Sequence, residues 1–136
     1  MFRGLLCLTL VILGACGSQT GSFAGVDCGT STLADYDAKA VDCVWSAYSS
    51  GTSVRWNIKG QTIEGDPIPE TLRFDSVLGV VITRDMTADK FSAPAARRMW
   101  TWRCGKMAKM PTATDKSRYS FELSNCTGDG PTATFP

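Results

Sequence analysis

Hydrophobic and polar positions change period once along this chain. From Ser31 to Gly51, STLADYDAKAVDCVWSAYSSG, apolar residues recur every three or four positions at Leu33, Tyr36, Ala40, Val44 and Ala47. That spacing predicts an amphipathic helix with one buried stripe. Ser31 or Thr32 is its predicted N-cap, Asp35 stands in its first turn, and Gly51 ends it in a left-handed conformation. After Gly51 the period becomes two. Val54, Trp56 and Ile58 alternate with Arg55, Asn57 and Lys59, and Leu72 and Phe74 alternate with Arg73 and Asp75. LGVVITRD is apolar and β-branched, Trp100, Trp102 and Cys104 share one parity, and so do Tyr119, Phe121 and Leu123. Five strand-like runs with one apolar face need a cover, and the helix can supply it. The predicted fold class is α+β: one N-terminal helix packed on a four- to five-stranded antiparallel sheet, connected as a meander.

The first residues alter the picture of compartment. Arg3 precedes an apolar run from Leu5 to Leu13, the length of a signal peptide and too short to span a bilayer. The run ends in Leu13-Gly14-Ala15-Cys16, which resembles the lipobox of bacterial lipoproteins. The resemblance implies cleavage before Cys16 and lipid on its sulfur, which places the chain in the cell envelope, anchored on the extracytoplasmic side at an outer membrane or cell surface. Two or more acyl chains hold a protein stably where one does not. The predicted organisation is a signal peptide over 1–15, a lipidated Cys16 and flexible tether over 16–27, one domain over 28–126, and a loose tail over 127–136, TGDGPTATFP.

In an exported chain, Cys28, Cys43, Cys104 and Cys126 read as disulfides. Three pairings are possible, and proximity in sequence favours Cys28–Cys43 and Cys104–Cys126. A zinc knuckle would need a closely spaced Cys-x-x-Cys, which the sequence lacks. The formal charge is +1, and no histidine is present. Histidine-dependent triads and histidine-ligated metals are therefore excluded, and a nucleic-acid partner is not expected. No cofactor is implied. Arg97, Arg98, Arg103, Lys106, Lys109, Lys116 and Arg118 make the last third basic. They either pair with acidic strands across the sheet or form a patch for anionic envelope components.

Three stretches are candidates for chemistry. In TIEGDPI, Glu64 and Asp66 flank Gly65 and precede Pro67, the composition of a turn between strands. Asp66 can take turn N–H groups, and Glu64 can pair with Lys59 or Arg73. The same residues, Glu64, Gly65, Asp66 and Pro67, are the candidate binding loop, and a carboxylate pair also admits hydrolysis. Asp85, Thr87 and Asp89 alternate as the first ligands of a calcium loop do, but Lys90 and Ala96 stand where that loop needs Gly and Glu. No metal site is predicted. Trp56, Trp100 and Trp102 fall at inward positions, so core packing is their expected role, with ring stacking on a ligand as the alternative for these and Trp45.

TIEGDPI, LRFDS, RDMTADKFS, WRCGKM and YSFELSNC occur in an order that resembles a family of small bacterial lipoproteins, known mainly from Bacillus-type secreted and lipid-anchored proteins and described as a domain of unknown function. The resemblance covers Val54 to Cys126, and this chain departs from it in carrying Cys28 and Cys43. It implies no activity, but it does imply that Cys104 pairs with Cys126. The expected function is a non-catalytic envelope module that binds a protein or polymer through exposed loops, and the chain is not expected to be an enzyme. The alternatives are an inhibitor of a secreted or host hydrolase, and a small hydrolase using Glu64 and Asp66.

Overall fold

The computed structural model describes residues 23–128 together with Phe135. The segment read as a signal peptide and lipobox, with Cys16, lies outside the described residues. The elements are β1 (Val26–Thr32), α1 (Ala38–Ser49), β2 (Val54–Gln61), β3 (Pro67–Asp75), β4 (Gly79–Asp85), a 3-10 turn (Pro94–Ala96), β5 (Met99–Pro111) and β6 (Tyr119–Gly128). The strands form one six-stranded sheet in sequence order. β1 pairs with β2 in parallel, and every later pair is antiparallel.

This overturns the expected four- to five-stranded antiparallel sheet. The sixth strand, VDCGTST, begins inside the segment read as tether and uses the residues read as the helix N-cap. Its pattern concealed it. β1 is an edge strand exposed along most of its length, so only Cys28 and Ser31 turn inward, and it needs no apolar alternation. Parallel neighbours require a crossover, and α1 supplies it, so the N-terminal third is a β–α–β unit.

The helix accordingly starts later than its predicted cap. Asp37 is the N-cap, accepting the Ala40 N–H at 3.0 Å. Leu33 and Tyr36 precede the helix and are exposed, and the buried stripe is Ala40, Val41, Val44 and Ala47. The end falls as predicted. Gly51, at φ +70°, donates to Tyr48 O, while Thr52 donates to Ala47 O, the paired bonds of a Schellman motif. A buried relay ties the unit together. Trp56 Nε1 donates to Ser31 Oγ at 2.9 Å, and Ser31 Oγ donates to Asp37 Oδ2 at 2.7 Å. One chain of hydrogen bonds thus joins β2, β1 and the helix start, which satisfies an indole that burial would otherwise strand.

Core residues stand in rows across the sheet. Trp56, Leu72, Ile82 and Trp102 are in register on β2 to β5, and so are Val54, Phe74, Val80 and Cys104. The helix lies over β1 and β2, with Tyr48 reaching Phe74 on β3, so the rest of this face needs another cover. The β5–β6 ribbon provides it. β4 pairs with β5 only as far as Cys104, and beyond that point the ribbon runs back along α1. Met107 N–H donates to Tyr48 Oη, Lys109 Nζ reaches Asp42 at 2.6 Å, and Tyr119 N–H donates to Tyr36 Oη. Successive ribbon positions thus meet the helix in reverse order.

The turn-back lies between the Cys104–Cys126 and Lys106–Ser124 pairs, where Asn125 has φ +56°. A residue in that region breaks the pleat, so the inward parity changes from Trp102 and Cys104 to Met107. Phe121 then packs edge-on against Trp56, with ring centroids 6.3 Å apart.

Both favoured disulfides form. Cys28–Cys43 ties β1 to α1, and Cys104–Cys126 ties the two strands at the turn-back. The segment read as a loose tail departs from expectation at two places. β6 continues to Gly128, and Phe135 is 2% exposed, its carbonyl accepting the Phe121 N–H. Its ring lies 5.3 Å from that of Trp56. Residues 129–134 and Pro136 lie outside the described residues. Phe135→Ala is therefore expected to lower the unfolding free energy by about 3 kcal/mol in urea denaturation. A loose tail would give no change.

Candidate functional site

TIEGDPI forms the connection between β2 and β3. Gly65 N–H donates to Thr62 O at 3.0 Å, closing a turn over Ile63 and Glu64, and Gly65 itself takes φ +91°. Thr62 Oγ1 accepts the Asp66 N–H, and Thr62 N–H donates to Asp66 O. The two carboxylates part company here. Glu64 is exposed on the turn, whereas Asp66 is buried and turned toward a second loop. Its Oδ2 accepts the Lys90 N–H at 2.9 Å, and its Oδ1 lies 3.4 Å from Lys90 Nζ. The Asp66 backbone therefore closes its own turn, while its carboxylate serves the β4–β5 loop. Pro67 begins β3.

The loop over residues 86–98 is held from within by the residues that resembled calcium ligands. Asp85 Oδ1 accepts both the N–H and the hydroxyl of Thr87. Asp89, 5% exposed, accepts the Phe91 and Ser92 N–H groups and the Ser92 hydroxyl. Arg97 closes the loop on the carbonyls of Ser92 and Lys90. Each carboxylate is thus committed to backbone and hydroxyl donors of its own loop. Among the described residues, no group of three or more His, Cys, Asp or Glu side chains is arranged to hold a metal.

What the two joined loops present is apolar. Ile63 is 100% exposed at the tip of one, and Phe91 is 69% exposed beside Lys90 on the other. A buried carboxylate thus fixes two exposed hydrophobic side chains at one end of the sheet. The tryptophans split. Trp56 and Trp102 are buried, Trp100 is half-buried with its Nε1 on Ala96 O at 3.1 Å, and Trp45 is half-buried beside Tyr48. Three cations of the basic last third have partners within the fold: Lys109 on Asp42, Arg118 on Asp115, and Arg97 on its own loop.

Sequence reasoning missed one polar pair. Glu70 and Arg84 are cross-strand neighbours on the inward face, joined at 2.7 Å between Oε1 and Nε. Glu70 Oε2 is buried with no hydrogen-bond partner among the described residues. The pair borders an open cleft with Leu33, Phe121 and Phe135. The sequence carried a signal for it, because ETLRFDS puts Glu70 on the same parity as Leu72 and Phe74. A charge at an inward position announces a buried partner.

A scan of protein-family models, a search of curated proteins and a search of solved structures return no match to this chain.

Two outcomes test the site as described. Asp66→Ala leaves the Lys90 N–H without its acceptor and is expected to cost about 2 kcal/mol in urea unfolding, whereas Glu64→Gln is neutral to within about 0.5 kcal/mol. Equal effects would contradict the division of roles.

Acid stability follows from the same bonds. Hydroxyl donors hold several carboxyls below the ordinary Asp range: Thr87 for Asp85, Ser92 for Asp89 and Ser31 for Asp37. A carboxyl lowered on folding stabilises above its unfolded pKa and loses that contribution as pH falls through the folded value. With no histidine, the urea midpoint should be flat from about pH 8 to 5 and fall below about pH 4. A midpoint that rises on acidification would contradict these assignments.

Proposed function

We propose that this chain is a non-catalytic extracytoplasmic binding module, held to a membrane through lipid on Cys16, that engages an envelope protein or polymer with its joined loops 62–66 and 86–98. The observation that carries the reading is the Asp66–Lys90 clamp beneath Ile63 and Phe91. Ordering a loop in advance removes an entropic cost from association, and exposed apolar side chains on a rigid base are the usual anchors of an interface. The polar neighbours Glu64 and Lys90 are exposed around them and can form a rim.

Hydrolysis is less well supported. Two carboxylates that divide acid and base roles face each other across a substrate, whereas Asp66 is turned into the protein and Glu64 away from it. The lipid anchor rests on Leu13-Gly14-Ala15-Cys16, and the short span from Cys16 to the first described residue, Phe23, keeps the domain close to its membrane.

Crosslinked capture from envelope extract, with the exported chain carrying Cys16→Ser, tests the reading. The parent should retain a partner that the still-folded Ile63→Asp/Phe91→Asp variant loses by about tenfold or more, since a central apolar anchor is worth about 2 kcal/mol. A captured hydrolase that is inhibited by the parent and not by the variant would assign the inhibitor role. Identical captures from both would sink the loop reading.

A further inference from the structure

The opposite end of the sheet has a different surface. β3 and β4 are joined there by Ser76, Val77 and Leu78, and Val77 is 87% and Leu78 59% exposed. Asp75 holds this tip rigid, its Oδ1 accepting the Val77 and Leu78 N–H groups at 2.8 and 3.2 Å. One row back from the tip, on the face turned away from the helix, Arg55, Arg73, Val81 and Arg103 stand in register across β2 to β5. Arg73 and Arg103 are exposed, and Arg55 is paired with Asp27. Like charges as close cross-strand neighbours repel, and among the described residues Arg73 and Arg103 have no ion-pair partner to match the Asp27 that faces Arg55.

The chain enters the domain at this place. Phe23 lies beneath the guanidinium groups of Arg55 and Arg73, at 5.1 and 5.4 Å from its ring centroid. Phe23, Arg73, Leu78 and Arg103 border one shallow hollow. Six residues lie between Cys16 and Phe23, and the seven steps of a fully extended chain across them reach at most about 25 Å.

We propose that this end of the sheet docks on the anionic lipid surface to which the chain is tethered, with Val77 and Leu78 entering the headgroup boundary and Arg73 and Arg103 meeting lipid phosphates. The inference rests on the lipid-anchored reading above for its tether, and three observations converge on it. Phe23, the described residue nearest Cys16 in sequence, lies beside the arginines, the arginines match the phosphates in charge and geometry, and the neighbouring tip is apolar and exposed. Asp75 remains charged, but its carboxylate is directed to the Val77 and Leu78 N–H groups and the Ser53 hydroxyl, and Arg73 and Arg103 together outnumber it. The orientation also suits the binding loops. β2 has eight residues, so loops 62–66 are carried roughly 25 Å from the docked end and face away from the membrane.

Vesicle co-sedimentation tests this with the chain from residue 17 onward, which contains every residue of the described fold and no lipid. Phosphatidylcholine vesicles containing phosphatidylglycerol should bind it, pure phosphatidylcholine should not, and added salt should weaken the binding. Arg73→Gln/Arg103→Gln should lower the partition coefficient about 30-fold, each cation near an anionic surface being worth about fivefold. Val77→Asp/Leu78→Asp should lower it as well. All four positions are exposed, and unchanged thermal melts would confirm that the variants fold.

Equal binding to both vesicle types, or parent-like binding by both variants, would overturn the proposal. So would competition by soluble polyphosphate together with indifference to the tip substitutions, which would assign the arginines to a soluble polyanion. The anchor is read separately, from the mass of the exported chain. An unmodified Cys16 would refute the anchor, while loss of vesicle binding with Cys16 lipidated would refute only the docking face.

Discussion

The turn-back of the β5–β6 ribbon is the constraint on which the rest of the structure depends. A single twelve-residue helix cannot cover the inward face of six strands, and without the ribbon much of that face would meet water. By breaking its pleat at Asn125, the ribbon turns Met107 and Phe121 inward and lays them beside α1 over the same core. Cys104 and Cys126 tie its strands at the point where the direction changes. The bond shortens the list of unfolded conformations from which this geometry must be recovered, an effect of about 3 kcal/mol in the chain-entropy model. Phe135 then closes the gap by pairing with Phe121 and packing on Trp56.

Polar groups accomplish much of what apolar burial does in larger domains. The relay from Trp56 through Ser31 to Asp37 converts a potentially stranded indole into the lock between strand, strand and helix. Asp66 does the same for two loops, and Asp75, Asp85 and Asp89 do so within single turns. These carboxylates hold the connections rigid while the apolar tips at the two sheet ends stay exposed. The ends differ in charge. One carries Ile63 and Phe91 on clamped loops; the other carries Val77 and Leu78 before an arginine row, where the chain enters.

The sequence by itself determined the elements whose periodicity is strong. β2 through β6 announce themselves because alternate residues are buried, and the stripe Ala40, Val44 and Ala47 with Gly51 beyond it marks the helix. Cysteine count and proximity sufficed for both disulfides. TIEGDPI was legible as a turn because glycine and proline constrain the backbone locally. All of these signals act over a few residues of chain.

Tertiary structure alone decided the remainder, for one physical reason: the partners are distant in sequence. β1 forms because β2 offers an unpaired edge and α1 returns the chain to it, not because VDCGTST prefers a strand. Asp37 displaces Ser31 as the cap because Ser31 is already held by Trp56, 25 residues on. Asp66 looked like a turn residue and serves Lys90, 24 residues away. The buried Glu70–Arg84 pair, the inward Phe135 and the arginine row likewise exist only once register brings their members together. Local pattern shows which residues seek burial or a donor; only the folded register shows which neighbour satisfies them.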